Sequence, residues 1–158
     1  MENQKKLSWN CIENYIDLIA NQIKERKISF DCIISVGRGG LVPTRLLSDR
    51  LSINTVYFYP VHFYKGVFKT DTKPTAGVFS HNISGKNVLL ADDIYHTGKT
   101  IETVLERLKL NKASRMAVAT LLVRKDAPGR PSFFGKEISS EHWIVFPWEK
   151  EEFKETDE

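Results

Sequence analysis

Short apolar segments separated by helical periodicity constrain the fold of this chain more than any other feature. Residues 31–36, 87–91 and 115–123 are runs of mostly apolar residues with the length of buried strands. Residues 41–51 and about 98–110 lie between these runs and carry apolar residues at helical spacing. Strands that alternate with helices are joined by right-handed crossovers into a parallel sheet. The pattern therefore predicts an α/β fold with a mainly parallel central sheet flanked by helices.

The remaining segments extend this prediction towards both ends of the chain. A helix is expected over residues 8–26, a β-rich segment over 54–60 and an aromatic strand over 142–148. The polar stretches 62–86 and 126–135 are interpreted as loops.

Length and charge suggest one domain and a short tail. The 158 residues suffice for a single domain, expected over residues 1–149. The acidic stretch 150–158 is predicted to be a disordered tail. The net charge of +3 makes the body mildly basic, because the acidic residues are concentrated in that tail. This balance suits a phosphate-rich small ligand and is too weak to predict a nucleic-acid partner.

Cysteine usage and hydropathy indicate a cytoplasmic protein. Cys11 and Cys32 form no metal-binding spacing and are expected to be reduced thiols. No apolar run approaches the 18 or more residues of a membrane span, and the first residues lack the apolar segment of a secretory signal.

The stretch LLADDIYHTGKT, residues 89–100, ends like a Walker A phosphate-binding loop. That loop requires a glycine five residues before its Gly-Lys pair, and Asp93 occupies the position. A carboxylate there would face the phosphates that the loop must surround, so the nucleoside-triphosphate interpretation is rejected.

A ribose-phosphate site explains the same residues. Asp92 and Asp93 follow an apolar run and can accept hydrogen bonds from a sugar diol. A helix then begins near Gly98, and the free N–H groups and dipole of its N-terminus favour a phosphate. Thr97 and Thr100 add hydroxyl donors.

The segment VLLADDIYHTGKT (88–100) resembles the ribosyl-pyrophosphate signature of the phosphoribosyltransferases of type I fold. The resemblance extends from about Ser8 to Glu149 and implies a type I phosphoribosyltransferase fold with a small C-terminal hood contributed by about 124–149. It assigns binding of 5-phosphoribosyl pyrophosphate to two groups of residues. They are Arg38, Gly39 and Gly40, and Asp92, Asp93, Tyr95, His96, Thr97, Gly98, Lys99 and Thr100.

A second segment, SVGRGGLVPTRLL (35–47), resembles the pyrophosphate loop of the xanthine-guanine branch of this family. Arg38 would bring a charged fork to pyrophosphate, and Gly39 and Gly40 would turn backbone N–H groups towards it. The alternative is a plain glycine turn with a solvent-facing arginine.

The C-terminal segment HWIVFPWE (142–149) resembles the base-binding hood of the same branch. By position, Trp143 would stack on a purine and the backbone of Ile144 would read the edge of the base, whereas Trp148 can fill the core. A lysine after the fourth strand usually meets the 6-oxo group in the family. Counting from the strand favours Arg124 for this role, and counting back from the Gly-Arg-Pro triplet favours Lys125.

Residues 62–80 would form the loop that closes over the reaction in the family. The sequence shows only a polar stretch with lysines, which also fits a surface hairpin. No residue in it is assigned a catalytic role.

His96 departs from the 6-oxopurine enzymes, where an aspartate at this position is thought to handle the proton at purine N7. Phosphates nearby would favour the imidazolium form, which donates to N7 but cannot accept a proton from it. A tolerated loop residue with no proton-handling role is the alternative.

The resemblance implies a magnesium-dependent transfer of ribose 5-phosphate to guanine, xanthine or hypoxanthine by a homodimer or homotetramer. Asp93, His96 and Arg38 are the expected catalytic residues, and Asp92 and Glu149 the expected metal contacts. The alternatives are a non-catalytic regulator that senses 5-phosphoribosyl pyrophosphate, and a phosphoribosyltransferase for adenine or a pyrimidine.

Overall fold

The computed structural model describes residues 4–65 and 72–149. The predicted tail 150–158 and residues 66–71 of the expected closing loop lie outside the described residues. The elements in chain order are β1 (Gln4–Lys6), α1 (Trp9–Glu25), β2 (Cys32–Val36), α2 (Leu41–Leu51), β3 (Val56–Tyr59), β4 (Val61–Lys65), β5 (Thr72–Ala76), β6 (Asn87–Tyr95), α3 (Lys99–Lys109), β7 (Arg115–Arg124), β8 (Phe133–Ile138) and β9 (Trp143–Val145).

A parallel sheet of five strands in the order β3-β2-β6-β7-β8 forms the centre of the fold. One core cluster lies between the sheet and helices α1 and α2, and the other includes the buried face of α3. Both faces of the inner strands are therefore covered, which explains why all five residues of β2 are buried. The predicted α/β fold with a mainly parallel sheet is confirmed.

Helix α1 forms where its apolar periodicity predicted it. Ser8 caps the helix by accepting a hydrogen bond from the Cys11 N–H at 3.2 Å. Ile12, Ile16 and Ile19 are fully buried on the face that meets the sheet. Among the described residues, no helix is both long and apolar enough to cross a membrane.

Two sequence predictions need correction. Strand β6 continues through both aspartates to Tyr95, instead of ending at residue 91, because parallel pairing with β7 extends to Tyr95 opposite Val123. The segment 126–135 is only partly a loop, since β8 begins at Phe133 and forms the sheet edge beside β7. The glycine and polar residues of β8 conceal its strand character in the sequence.

The segment predicted as a closing loop or surface hairpin contains an antiparallel hairpin, β4–β5, in its described part. The Tyr59 hydroxyl donates to the Gly77 carbonyl at 2.8 Å, and the Gly77 N–H donates to the Pro60 carbonyl at 3.0 Å. These bonds fasten the base of the hairpin to the central sheet.

The C-terminal strand β9 pairs with β1 in parallel and takes no part in the central sheet. Ile144 and Phe146 are buried in the core on the α1 side, and Trp148 stacks on Phe146 with ring centroids 4.7 Å apart. Trp148 thus packs against the core, as the sequence suggested.

Helix α1 approaches the edge strand β8 closely at Gly135. The Gln22 amide donates to the Phe134 carbonyl at 2.8 Å, and a Cβ at Gly135 would collide with the Tyr15 Cβ and lie 2.8 Å from the Leu121 carbonyl. The backbones leave room here only for glycine.

We expect Gly135→Ala to lower the free energy of unfolding by about 1–3 kcal/mol, because α1 must move away from the sheet. Urea unfolding followed by circular dichroism measures the change. Lys136→Ala, at the exposed neighbouring position on β8, is the matched control. Equal stabilities of the two variants would contradict this account of the α1–β8 contact.

Candidate active site

A cleft of about 870 Å³ opens at the carboxyl ends of β2 and β6, beside the N-terminus of α3. Its walls come from residues 36–39, residues 92–101 and the hairpin residues Val61, His62 and Pro74. Ligands of open parallel sheets bind at this edge of the sheet. The two sequence motifs, distant along the chain, thus meet around one cavity.

The N-terminus of α3 forms one wall of the cleft and suits a phosphate. Gly98 precedes the helix with φ +79°, and no side chain caps the helix end. A Cβ at Gly98 would collide with the Tyr95 hydroxyl, so the tight turn requires glycine. The Thr97 hydroxyl accepts a long hydrogen bond from the Lys99 N–H at 3.4 Å and keeps its own proton for a ligand.

The acid pair forms the floor of the cleft. Asp92 is buried, and its Oδ1 accepts a hydrogen bond from the Asp93 N–H at 2.9 Å. Burial, reinforced by the neighbouring charge of Asp93, raises the pKa of Asp92 well above its ordinary value. Burial also raises the pKa of Asp93 to about 6, and the charge of Glu149 adds to this shift. A cation or a hydroxyl donor entering the cleft would stabilise both carboxylates.

The glycine loop after β2 rests directly on this acid pair. A Cβ at Gly39 would lie 2.8 Å from carboxylate oxygens of both Asp92 and Asp93. A Cβ at Gly40 would collide with the Ala91 carbonyl. Arg38 is exposed and lines the cleft between these glycines and the hairpin. The predicted pyrophosphate loop and the predicted ribose-binding acids therefore lie in contact.

Tyr95 links the phosphate side of the cleft to the hood. Its ring is buried, and its hydroxyl lies against Gly98 on one side and against Gly129 of the hood loop on the other. Its packing therefore supports the loop 96–98, in addition to the predicted contact with the ligand.

The predicted base-binding residues lie outside the lining of the cleft. Trp143 is 58% exposed, Ile144 is buried, and the Lys125 side chain is exposed. The Arg124 guanidinium is turned into the hood, where its Nη1 donates to the Ser139 and His142 carbonyls at 2.7 and 2.8 Å. The structure therefore gathers the phosphate and ribose residues but not the four base-binding candidates, whose roles stay predictions.

Sequence reasoning assigned no residue of the hairpin, and yet Val61, His62 and Pro74 line the cleft. His62 is the titratable side chain among them and was the available signal. Asp126 was also missed. A hydrogen bond from the Ser140 hydroxyl and, more weakly, the charge of His96 lower the pKa of Asp126, so this carboxylate lies within electrostatic reach of His96.

The donor set can hold a divalent cation only with help from a ligand. Within residues 4–65 and 72–149, no group of three or more His, Cys, Asp or Glu side chains forms a metal site. Two adjacent carboxylates at the edge of the cleft nevertheless fit Mg²⁺, which binds through one or two carboxylates and completes its coordination with substrate phosphates and water. Glu149 accepts a hydrogen bond from the Phe146 N–H at 3.0 Å, and its predicted role in a second metal site stays a prediction.

The fold and the cleft define a class: α/β proteins that hold a phosphorylated sugar between a glycine loop, an acid pair and a helix N-terminus. The sequence model of the family described as "Phosphoribosyl transferase domain" matches residues 7–152. The chain belongs to this family and has its type I fold.

The relatives agree with the purine branch that the motifs indicated. A xanthine-guanine phosphoribosyltransferase of Desulfotalea psychrophila is 28% identical over 147 residues, covering 92% of this chain and 86% of the relative. The crystal structure of a purine phosphoribosyltransferase from Pyrococcus horikoshii superposes with a TM-score of 0.79 at 34% identity, covering 92% of this chain and 93% of that one. The transcriptional regulator GfcR of Methanococcoides burtonii is 26% identical over 128 residues, covering 78% of this chain and 61% of the regulator.

The buried acid pair predicts a pH-dependent stability in the absence of ligand and metal. The pKa of Asp93 in the folded protein, about 6, lies above its ordinary value of 3.8. The folded state therefore binds more protons than the unfolded state between these values, and stability falls as the pH rises through this window. We expect Asp93→Asn to be close to wild type at pH 4 and more stable by about 1–3 kcal/mol at pH 7.

Urea unfolding in a chelator and a phosphate-free buffer, repeated from pH 4 to 8, measures this difference. Glu106→Gln, which removes an exposed carboxylate on α3, is the control and should follow the wild-type profile. A stability difference between Asp93→Asn and wild type that does not change with pH would disprove the explanation.

Proposed function

We propose that this protein transfers ribose 5-phosphate from 5-phosphoribosyl pyrophosphate to a 6-oxopurine, giving the nucleoside monophosphate and pyrophosphate. The observation that carries the proposal is the meeting of Arg38, the acid pair and the α3 N-terminus around one cleft of about 870 Å³. That volume suits a ligand with three phosphate groups. The similarity to xanthine-guanine phosphoribosyltransferases supports the choice of base.

Each wall of the cleft matches one part of the sugar substrate. The N–H groups of α3, with Thr97 and Thr100, bind the 5-phosphate. Asp92 and Asp93 accept hydrogen bonds from the ribose hydroxyls. Arg38 and the N–H groups of Gly39 and Gly40 bind the pyrophosphate.

The reaction exchanges one bond at C1 of the ribose. A purine ring nitrogen forms a bond to C1 as the C1–O bond breaks, pyrophosphate leaves with the electron pair, and the purine loses its N–H proton. Positive charge develops on the sugar, and the carboxylates on the cleft floor stabilise it. The β4–β5 hairpin, whose residues line the cleft, reduces the access of water to the reactive sugar.

Asp92 and Asp93 are the residues that would hold Mg²⁺. When bound, this ion neutralises charge on the pyrophosphate leaving group. The raised pKa values of both carboxylates identify a place where a cation removes an electrostatic cost.

A nucleotide-formation assay tests the proposal. Purified protein with Mg²⁺ and 5-phosphoribosyl pyrophosphate is offered guanine, xanthine, hypoxanthine, adenine and uracil in turn, and nucleotide is separated and quantified. We expect turnover of one or more of the three 6-oxopurines. Exclusive use of adenine or uracil would refute the assignment of the base.

A regulatory role is the second candidate, because a transcriptional regulator is among the relatives. In that case the protein would bind 5-phosphoribosyl pyrophosphate, which calorimetry detects, and would form no nucleotide with any base. The hood segment with Trp143 favours the enzyme, since a sensor of the sugar phosphate needs no base site.

His96 lies exposed in the cleft, at the position where the family resemblance places proton transfer at purine N7. As an imidazolium it donates to N7, so activity falls as the imidazolium loses its proton. We expect His96→Asn to lower kcat/KM by about 10²–10⁴ and to remove the basic limb of the pH profile.

His62→Asn replaces a histidine on the opposite wall of the cleft and is the matched control. It should keep the shape of the wild-type pH profile. A His96→Asn enzyme with an unchanged profile would assign His96 to the alternative, a loop residue with no proton-handling role.

A further inference from the structure

Arg124 ends strand β7 and is the only basic side chain in the buried class among the described residues. Burial lowers its pKa from the ordinary value, although a guanidinium keeps its charge in proteins. Within the described part of the chain, its side-chain hydrogen bonds go to backbone carbonyls and not to a carboxylate, and its Nε has no hydrogen-bond partner. A buried charge held in this way needs a positional reason.

The two acceptor carbonyls lie at a specific place in the chain. Arg124 Nη1 donates to the Ser139 carbonyl at 2.7 Å and to the His142 carbonyl at 2.8 Å. These residues bracket the turn at 140–141, and His142 directly precedes β9. One nitrogen atom therefore fixes both ends of the turn that leads into Trp143.

Further bonds tie the same two segments together. The Arg130 guanidinium donates to the Arg124 carbonyl at 2.8 Å and pairs with Glu137 at 2.7 Å. The Lys125 N–H donates to the Ile138 carbonyl at 2.9 Å. The end of β7 is thus joined to residues 137–142 through both side chains and backbone.

This junction matters because β9 is not hydrogen-bonded to the central sheet. Its strand partner is β1, and the burial of Ile144 and Phe146 holds it against the core. Apolar burial is non-directional, so it does not by itself fix the position of β9 along the strand direction. The charge-assisted bonds from Arg124 are directional and supply that constraint.

We propose that Arg124 is a positioning residue that sets Trp143 against the purine base, and that Lys125 is the side chain left to meet the 6-oxo group. The inference rests on the proposed function. It separates two residues that the sequence left as equal candidates. The Arg124 nitrogen that binds both carbonyls cannot also point to a base, whereas the Lys125 side chain is exposed.

Arg124→Lys distinguishes positioning from direct contact. A lysine donates to a purine carbonyl as well as an arginine does, so a direct contact would survive the change. The shorter ammonium cannot reproduce the guanidinium fork, so a positioning role would be lost. Arg115→Lys, the same substitution at the exposed opposite end of β7, is the matched control.

Two measurements on the full chain give the answer. Hydrogen–deuterium exchange followed by mass spectrometry reports on residues 138–146, and steady-state kinetics separates the KM of the base from that of 5-phosphoribosyl pyrophosphate. In Arg124→Lys we expect exchange in 138–146 to rise about tenfold or more, the base KM to rise by a similar factor, and the other KM to stay within about twofold. Arg115→Lys should match wild type in all three.

Unchanged exchange in residues 138–146 would overturn the proposal, and so would faster exchange with an unchanged base KM. Arg124→Gln, which removes the charge and leaves no buried cation, repeats the test if Arg124→Lys exchanges faster throughout the molecule. If wild-type protein turns over no base, the proposed function fails. The exchange measurement then still decides whether Arg124 fixes residues 139–142.

Discussion

The contact between the glycine loop after β2 and the two carboxylates on β6 is the constraint on which the rest of the site depends. Positions 39 and 40 approach the acid pair and the backbone of β6 so closely that no side chain fits at either position. The parallel pairing of β2 with β6 brings these segments together, because both strands end at the same edge of the sheet. The cleft follows from this arrangement, with the N-terminus of α3 as its third wall.

That arrangement has an electrostatic cost in the free protein. Burial raises the pKa of both Asp92 and Asp93, and Glu149 adds a further negative charge nearby. Buried like charges destabilise a fold, and proteins retain them where a ligand or a cation compensates. The site is therefore organised for a ligand that brings hydroxyl donors and a counter-ion, which is what a magnesium-bound ribosyl pyrophosphate provides.

The parts of the fold set by local pattern were predictable from the sequence. Helix α2 occupies the predicted residues Leu41–Leu51, and the parallel sheet follows from the alternation of strands and helices. The phosphate side of the cleft was also predictable, since strand, acids, glycine and helix are contiguous between residues 88 and 100. Strand β8 was missed because its sequence carries Gly135 and charged residues. The reason for that glycine, the close approach of α1, lies about 120 positions away in the chain.

Arg124 shows why the base side could not be resolved in the same way. Counting residues from the strand or from the Gly-Arg-Pro triplet places a cation near the base, but counting cannot tell a buried cation from an exposed one. That distinction depends on residues 139–142, whose carbonyls meet the end of β7 only after β8 has returned the chain to the same edge of the sheet. A buried arginine that binds two carbonyls fixes backbone, whereas an exposed lysine one residue later keeps its donors for a ligand. Adjacent residues of equal charge thus acquire different roles from burial alone, and burial here is a property of the tertiary fold.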